Sequence, residues 1–440
     1  MVGTRRRRPA KPPHRGHGVH HIRIGLGSWP PTRITSAPMQ RITVVGIGAD
    51  GWDGLAMDSR RLVREAEVVM GGKRHLDSVP WSWWQVRVEW PTDVAEALPP
   101  LLEEYEGKRI VVLSSGDPFV AGIASLLVRL VDPDDVDVIP TVSSESLARA
   151  RMRWSFEETA LVALGGHDVR RLLPHLAPGR KLVVLSADGG TPSSVAALLT
   201  AQGYGESVMT VFGDLGGLAE SRTESTADAW RERVSPDLNV ICLRCVADAS
   251  RRSATSCVPG LSDASFGDAL TVVPRDVRTT ALARLAPAAG DLLWGLGPGA
   301  GSVAIEWQRA APLASAVVVA PTAVDVARTR ESAIDLGVRE LRIVGGTLPE
   351  ALETLAAPDA IFLGSHAADA AVVEAAWSAL RPGGRLVVHA ATLDDEAALI
   401  DRFRKQGGEL VRIGVDTVTT SGDHVAWESA RPIVQWSAVR

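Results

Sequence analysis

The sequence predicts a two-domain α/β protein, and three observations support this fold class. First, the chain has 440 residues, more than one hydrophobic core usually serves. Second, short apolar runs alternate with helix-like patterns along most of the chain, as in proteins built on parallel sheets. Third, residues 247–265 lack this alternation and are rich in Ser and other turn formers, which is typical of a linker.

These patterns also predict the domain boundaries. A first domain occupies residues 39–246, a linker 247–265 and a second domain 266–440. Residues 1–38 contain four arginines at positions 5–8 and frequent Pro and His, without the apolar segment of a secretory signal. We expect a disordered basic arm there, with nucleic-acid binding as the alternative and Met39 as an alternative start of the protein.

Composition and charge narrow the function classes. Hydrophobic residues make up 45% and charged residues 22%, and a formal net charge of -5 gives no reason to expect nucleic acid or a membrane as a partner. Three cysteines are too few for a disulfide framework, which favours a cytoplasmic location. Cys242 and Cys245 have CxxC spacing, but they fall in a predicted strand, where residues three apart face opposite sides. We therefore predict no metal site.

In the first domain, seven short apolar runs are predicted to be strands. They are residues 42–47, 109–114, 136–139, 159–164, 181–186, 208–212 and 238–246. Three of these strands lead into loops that contain glycine, and open sheets bind ligands at the carboxyl ends of their strands. A single glycine pair is explained by the positive φ that such a turn requires, whereas three such loops together indicate a binding site.

The most informative of these loops is Gly116-Asp117-Pro118, which follows an apolar run. Gly116 allows the backbone to approach a ligand closely, Pro118 suits the first turn of a helix, and Gly122 keeps the next turn open. We therefore predict a strand, a tight turn and a helix beside a bound small molecule. Asp117 has an alternative role as a cap for the free N–H groups of that helix.

A series of landmarks in the first domain resembles the tetrapyrrole methylase family. They lie at residues 46–51, 113–118, 142–147, 185–192, 203–205 and 214–217. The resemblance implies two small α/β lobes that bind S-adenosylmethionine in the cleft between them. It implies that the cofactor site consists of Gly48, Ser115, Gly116, Asp117, Gly122, Ser143, Ser144 and Gly165. Methyl transfer requires alignment more than a protein nucleophile, and no catalytic residue is assigned.

The second domain is predicted to begin with a helix at 275–285 and to contain seven strands. The strands are residues 291–296, 316–320, 340–344, 360–363, 385–389, 409–415 and 433–436. Helix-like segments separate the first six strands, which fits one doubly wound sheet. The first strand leads into Gly297-Pro298-Gly299-Ala300-Gly301 and a helix, the arrangement of a Rossmann-like nucleoside-binding unit.

This glycine loop, with residues 274–278, 348–352 and 380–386, is similar to the decarboxylating domain of the precorrin-6Y methyltransferase family of cobalamin biosynthesis. That family fuses these two domain types in this order. The resemblance implies methylation of precorrin-6Y, a tetrapyrrole, at carbons 5 and 15, with loss of carbon dioxide from the acetate of ring C. It implies further S-adenosylmethionine contacts at Gly297, Gly299 and Gly301, and it leaves a homo-oligomer open.

Several carboxylates with which this family holds its cofactor are missing here. Gly295 stands where the family has Asp before the glycine loop, and Thr347 stands where it has another Asp. Residues 317–322, where a ribose-binding acid belongs, contain none, and Asp325 comes late. Each lost hydrogen bond to a charged group costs roughly 1.5 to 3 kcal/mol. We therefore expect the second domain to bind S-adenosylmethionine poorly or not at all.

Three residues of the second domain are candidates for binding an acidic macrocycle. Arg275 and Arg278 lie on its first helix, and a guanidinium matches a carboxylate with paired donors. His366, like His389, follows a strand at the expected ligand edge. The alternatives are a solvated helix face for the arginines and a surface or capped position for the histidines.

Three functions therefore compete. The first is the bifunctional decarboxylating methyltransferase that the resemblance implies. The second keeps methylation by the first domain and gives the second domain a binding or scaffolding role. The third is a dinucleotide-dependent oxidoreductase that uses the loop at 297–301, although the missing ribose acid counts against it.

Overall fold

The computed structural model describes residues 41–440 apart from 92, 232–233, 249–255, 268–270, 312, 339 and 422–423. The predicted basic arm and the middle of the predicted linker lie outside these residues. The chain forms two compact units. Of the described residues, the first unit contains those from Arg41 to His167, Lys181–Thr200 and Ser207–Arg244, and the second contains Asp168–Arg180, Ala201–Glu206 and those from Cys245 to Arg440.

The first unit begins with a five-stranded parallel sheet. Its strands are β1 (Ile42–Ile47), β2 (Val68–Gly71), β3 (Val86–Glu89), β4 (Ile110–Ser115) and β5 (Val136–Ile139). Their order is β3-β2-β4-β1-β5. Apolar side chains alternate between the two faces, with Val44 and Val112 in one core cluster and Val45 and Val111 in another. Both faces of the sheet are therefore buried, which is typical of parallel sheets.

A second five-stranded sheet completes this unit. Its strands are β6 (Thr159–Ala163), β7 (Lys181–Leu185), β8 (Val208–Gly213), β9 (Ser221–Thr226) and β10 (Asn239–Arg244). The order is β6-β7-β10-β8-β9, and only β6 and β7 are parallel. The helices of this part of the chain are α1 (Met57–Glu65), α2 (Lys73–Asp77), α3 (Val94–Glu104), α4 (Ala124–Leu130), α5 (Ser144–Met152) and α6 (Thr191–Ala201).

The second unit contains a seven-stranded sheet, which confirms the predicted doubly wound fold. Its strands include β11 (Leu292–Leu296), β12 (Ser315–Ala320), β13 (Arg342–Gly345), β14 (Ala360–Leu363), β15 (Arg385–Ala390) and β16 (Glu409–Ile413). An exposed hairpin of β17 (Asp416–Ser421) and β18 (His424–Ser429) precedes the last strand of the sheet, β19 (Ile433–Val439). The order is β13-β12-β11-β14-β15-β19-β16, with β19 antiparallel to its neighbours.

Helices cover both faces of this sheet. They are α7 (Arg275–Leu285), α8 (Ala300–Ala310), α9 (Ala323–Asp335), α10 (Ala370–Ala379) and α11 (Leu393–Gln406). Residues of α7, α8 and α9 share a core cluster with Leu293, whereas residues of α10 and α11 share one with Trp294. Within the described residues, no helix has the length and apolar character needed to cross a bilayer.

Candidate active site

The two sheets of the first unit enclose a cleft of about 680 Å³, a volume within the usual range for small-molecule sites. The ends of β1 and β4 and the starts of α2 and α5 line it, together with Leu185, Phe212 and Asn239 from the second sheet. Seven of the eight predicted cofactor residues of this unit line the cleft: Gly48, Ser115, Gly116, Gly122, Ser143, Ser144 and Gly165. Their contact with a cofactor stays a prediction, but the fold brings them together.

Gly116 sits where three chain segments meet. Its φ of 55° lies in the left-handed region, and a Cβ atom there would lie 2.9 Å from the Cα atom of Ser143. A Cβ atom at Gly46, in β1, would lie 2.0 Å from the Gly116 carbonyl oxygen and 2.7 Å from the Thr141 nitrogen. The segments therefore pack backbone against backbone, and a side chain at either glycine would push them apart.

One detail of the predicted turn was wrong. The chain does not enter a helix at Pro118, since α4 begins only at Ala124. Between them Ala121 has a φ of 51°, and a left-handed residue interrupts a right-handed helix. Asp117 does not line the cleft, unlike its neighbour Gly116, and its cofactor contact stays a prediction. Its Oδ1 accepts a hydrogen bond from the Phe119 N–H at 2.8 Å, so this carboxylate holds the turn, close to the capping alternative.

Ser143 and Ser144 lie at the start of α5. The Ser143 hydroxyl oxygen accepts a hydrogen bond from the Ser146 N–H at 3.1 Å, which caps the helix. The same hydroxyl donates to the buried Glu145 carboxylate at 3.3 Å, and Glu145 is paired with Arg149. This network fixes the helix start that borders the cleft.

The sequence patterns did not single out two further residues that line the cleft, Arg74 and His75. The His75 Nε2 atom lies 3.0 Å from the Ser115 hydroxyl oxygen and 2.8 Å from Arg74 Nη2. Burial and the Arg74 charge lower the pKa of His75 to about 3, so this imidazole is neutral near pH 7. The sequence signal that could have identified them is the glycine pair Gly71-Gly72 just before Lys73-Arg74-His75. It was not recognised because the short strand that ends at Gly71 was not predicted.

The glycine loop of the second unit lies between β11 and β14, where the strand order of its sheet reverses. A Cβ atom at Gly297, whose φ is 80°, would lie 3.2 Å from the Ser365 hydroxyl oxygen and 3.6 Å from His366 Nδ1. The structure thus places the predicted residues Gly297 and His366 side by side. His366 is exposed, and its Nδ1 lies 2.6 Å from the Ser365 hydroxyl.

The rest of this loop packs against the protein itself. Gly299 has a φ of 77°, and a Cβ atom there would lie 2.6 Å from Val273 Cγ2. A Cβ atom at Gly364 would lie 2.1 Å from the Pro298 carbonyl oxygen. Gly301 is buried inside α8. Protein atoms therefore fill the space beside Gly299, and Gly301 is enclosed by its own helix and the core.

The structure leaves little room at position 295 for the acid that the sequence lacks there. A Cβ atom at this position would lie 3.3 Å from Ala300 Cβ and 3.4 Å from Val318 Cγ2. Contacts this short leave little room for a larger side chain between β11, α8 and β12. An aspartate here would require those elements to move.

At the ends of β12 and β13, threonines pair with acids three residues later. The Thr322 hydroxyl donates to Asp325 Oδ2 at 2.6 Å and accepts from the Asp325 N–H at 3.1 Å, which caps α9. The Thr347 hydroxyl donates to Glu350 Oε2 at 3.1 Å. The carboxylates that follow the two positions without an acid, Asp325 and Glu350, therefore accept hydrogen bonds from threonine hydroxyls.

The prediction that Arg278 binds substrate was wrong, because this side chain is completely buried. Its Nε lies 3.2 Å from Glu306 Oε1 and its Nη1 2.9 Å from Asp263 Oδ1. It also donates to the carbonyl groups of Leu261 and Val273. Position 278 lies on the same face of α7 as Ala281 and Leu282, three and four residues later. Because this face packs into the core, the Arg278 side chain is buried with it.

Of the other residues singled out in the sequence, Arg275 is exposed and the remaining three are buried. Arg275 is exposed at the start of α7, and its role in substrate binding stays a prediction. His389 lies in the core and hydrogen bonds to Gln435 at 2.9 Å, and burial lowers its pKa to about 4. Cys242 and Cys245 are buried too, and burial raises the pKa values of their thiols to about 12 and 11. A structural role for these thiols stays a prediction, which their burial supports.

Two family models match this chain, one in each of its domains. Residues 41–229 match the family model for Tetrapyrrole (Corrin/Porphyrin) Methylases. Residues 265–440 match the model for the Precorrin methyltransferase domain. Each match covers about two fifths of the chain, and the two domain types follow in the order that the sequence landmarks predicted. Together they define a tetrapyrrole methylase fused to a second methyltransferase domain.

Full-length relatives make the assignment more specific. The chain is 37% identical to precorrin-6Y C(5,15)-methyltransferase (decarboxylating) from Sinorhizobium sp, over 90% of this chain and 95% of that protein. It is 36% identical to the protein of the same name from Mycobacterium tuberculosis, over 91% of this chain and all of that protein. A cobalt-precorrin-7 C(5)-methyltransferase from Salmonella typhimurium is 29% identical over 39% of this chain and 83% of its own length. The chain belongs to the precorrin-6Y C(5,15)-methyltransferase (decarboxylating) family.

Proposed function

We propose that this protein transfers methyl groups from S-adenosylmethionine to carbons 5 and 15 of precorrin-6Y and removes carbon dioxide from the acetate of ring C. Membership of the decarboxylating methyltransferase family supports this function. The observation that carries the proposal is the first-unit cleft, where glycine turns at several strand ends meet. The oxidoreductase alternative is set aside, because the family is one of methyltransferases.

The first-unit cleft fits the methyl donor. S-adenosylmethionine supplies an electrophilic methyl group on a positively charged sulfur. Gly48, Gly116 and Gly165 line the cleft without side chains, so backbone N–H and C=O groups can approach such a cationic, amphipathic molecule. Because methyl transfer is an in-line displacement, the main contribution of these residues is to hold the two reactants in alignment and away from water.

For the second unit, we propose a weaker donor site beside Gly297, Ser365 and His366. The exposed turn and the glycine support binding there. The replaced acids and the filled space beside Gly299 argue for low affinity. The competing interpretation, a second unit that only binds or scaffolds, requires no donor site at this edge.

Product analysis tests the proposed function. The purified protein is incubated with precorrin-6Y and isotopically labelled S-adenosylmethionine, and the product mass is measured. We expect two labelled methyl groups and the loss of one carbon dioxide. One methyl group without decarboxylation would support the scaffolding interpretation, and no incorporation at all would contradict the proposal.

The proposal also includes where the protein acts and what it binds. We propose a cytoplasmic location, which the three free cysteines support because disulfides are rare in that compartment. The tetrapyrrole is the expected small-molecule partner. A homo-oligomer stays a prediction, which light scattering of the purified protein can test.

A further inference from the structure

Arg74 has a fixed place in the wall of the first-unit cleft. β2 ends at Gly71 and α2 begins at Lys73, so Arg74 lies at the carboxyl edge of the parallel sheet. Its Nη2 donates to the Ser115 hydroxyl oxygen at 3.0 Å and lies 2.8 Å from His75 Nε2. Contacts from two separate elements, α2 and β4, therefore hold the guanidinium in one orientation.

His75 is the acceptor in this cluster. A guanidinium can only donate, so the contact between Arg74 and His75 Nε2 requires a ring nitrogen that carries no proton. The low pKa of this buried histidine agrees with a neutral ring. The Ser115 hydroxyl then accepts from Arg74 and can donate to the same ring nitrogen. The neutral ring thus positions Arg74 without cancelling its charge.

Arg74 is also a cation of this cleft wall without an ion-pair partner among the described residues: burial lowers its pKa, and the more distant Asp214 carboxylate only opposes that effect. The neighbouring cation, Lys73, pairs with Asp77 at 3.0 Å. Among the described residues, no carboxylate oxygen lies within 4.0 Å of the Arg74 guanidinium, and its hydrogen bonds use Nη2 alone. Two of its nitrogen atoms, Nε and Nη1, therefore keep their N–H groups for another acceptor.

We propose that Arg74 binds a carboxylate of a ligand in this cleft, with His75 and Ser115 as positioning residues. A fixed guanidinium with free N–H groups matches a carboxylate better than a flexible ammonium does. Two ligands can supply the group, namely the acidic side chains of the macrocycle and the amino-acid carboxylate of S-adenosylmethionine. This inference rests on the proposed function.

Binding and kinetics of Arg74 variants test the inference in the full-length protein. R74Q removes the charge, R74K keeps it without the paired donors, and R61Q is a control on the exposed surface of α1. Calorimetry gives the Kd of S-adenosylhomocysteine, and steady-state methylation gives the KM of precorrin-6Y. We expect R74Q to raise one of these constants by about tenfold or more, with partial recovery in R74K and no change in R61Q.

The constant that rises identifies the source of the carboxylate. A raised KM identifies the macrocycle, and a raised Kd identifies the methyl donor. H75F should raise the same constant, and R74Q/H75F should raise it no further than R74Q alone, because the positioning effect acts through Arg74. If both constants of R74Q and of R74K stay within about twofold of wild type, the inference is overturned. The wild-type assay separates this failure from that of the proposed function, which would show no methylation at all.

Discussion

Glycines at the strand ends of both units pack against the protein's own chain, and the two units differ in what else lies beside these glycines. In the first unit, Gly116 packs against the backbone of Ser143, and the space beside it stays open as the cleft. In the second unit, Gly299 packs against Val273, so much of the loop faces the protein's own chain. A glycine-rich loop after a strand therefore does not by itself define a ligand site. The atoms that pack against the loop determine how much of its backbone a ligand can contact.

Two arginines, one in each unit, also differ in their partners. Arg74 is held by neutral partners, and its charge faces the cleft. Arg278 is buried against Glu306 and Asp263, so its charge is neutralised within the core. The first unit keeps its cation for a ligand, and the second uses its cation for stability.

The largest expected effect comes from breaking the buried ion pair of the second unit. R278M leaves the Glu306 carboxylate, which is 2% exposed, without its cation. Removing one partner of a buried pair costs about 3 to 5 kcal/mol, and we expect this loss in the unfolding free energy. R275M, an exposed neighbour on the same helix, should change stability little. A raised KM for precorrin-6Y at unchanged Tm in R278M would restore its predicted role in substrate binding.

A substitution at Gly116 should remove most of the activity. G116A places a Cβ atom 2.9 Å from Ser143 Cα and forces a left-handed conformation on an alanine. Misplacing this loop should lower kcat/KM for methyl transfer by about a hundredfold. The control is G107A, which has the same strain at a φ of 77° but no atom within 4 Å of the new Cβ. Equal losses in both variants would show that backbone strain, not the cleft, explains the effect.

Stability should fall in acid because each unit buries a neutral histidine. The pKa values of His75 and His389, about 3 and about 4 when folded, lie below the usual 6.5 of the unfolded chain. The unfolded state therefore binds more protons below pH 6.5, and each histidine should remove about 2 kcal/mol of unfolding free energy between pH 7 and pH 5.

Calorimetric unfolding at several pH values measures this effect. H75N should reduce the pH dependence of the first unit, and H389N that of the second. If neither substitution changes the dependence of the unfolding free energy on pH, other groups cause the acid sensitivity.

Restoring an acid at the second glycine loop should have the smallest effect. T347D returns a carboxylate to the end of β13, and E350Q removes the like charge that would face it, since the two side chains are now 3.1 Å apart. One regained charged hydrogen bond should strengthen S-adenosylhomocysteine binding by the second unit about tenfold. E350Q alone is the control, and no gain over it would mean that the filled space beside Gly299 limits binding.

The sequence predicted most strands because buried parallel strands are nearly continuous apolar runs, such as those at β4 and β12. It missed β9, whose residues are polar and mostly exposed at a sheet edge, and β2, a four-residue strand that ends in glycine. It also missed β3, a four-residue edge strand with no buried residue, and the exposed hairpin of β17 and β18. Missing β2 also concealed Arg74 and His75, because a strand end marks the ligand edge. Arg278 was misplaced because its charge was given more weight than its position on the apolar face of α7, beside Ala281 and Leu282.

Titration of the full-length protein with S-adenosylhomocysteine, for wild type and G116A, tests the central difference between the two units most directly. We expect one tight site in the wild type, its loss in G116A, and a remaining site at least about tenfold weaker. Two sites of equal affinity, or a tight site that survives in G116A, would contradict the assignment of the principal donor site to the first unit.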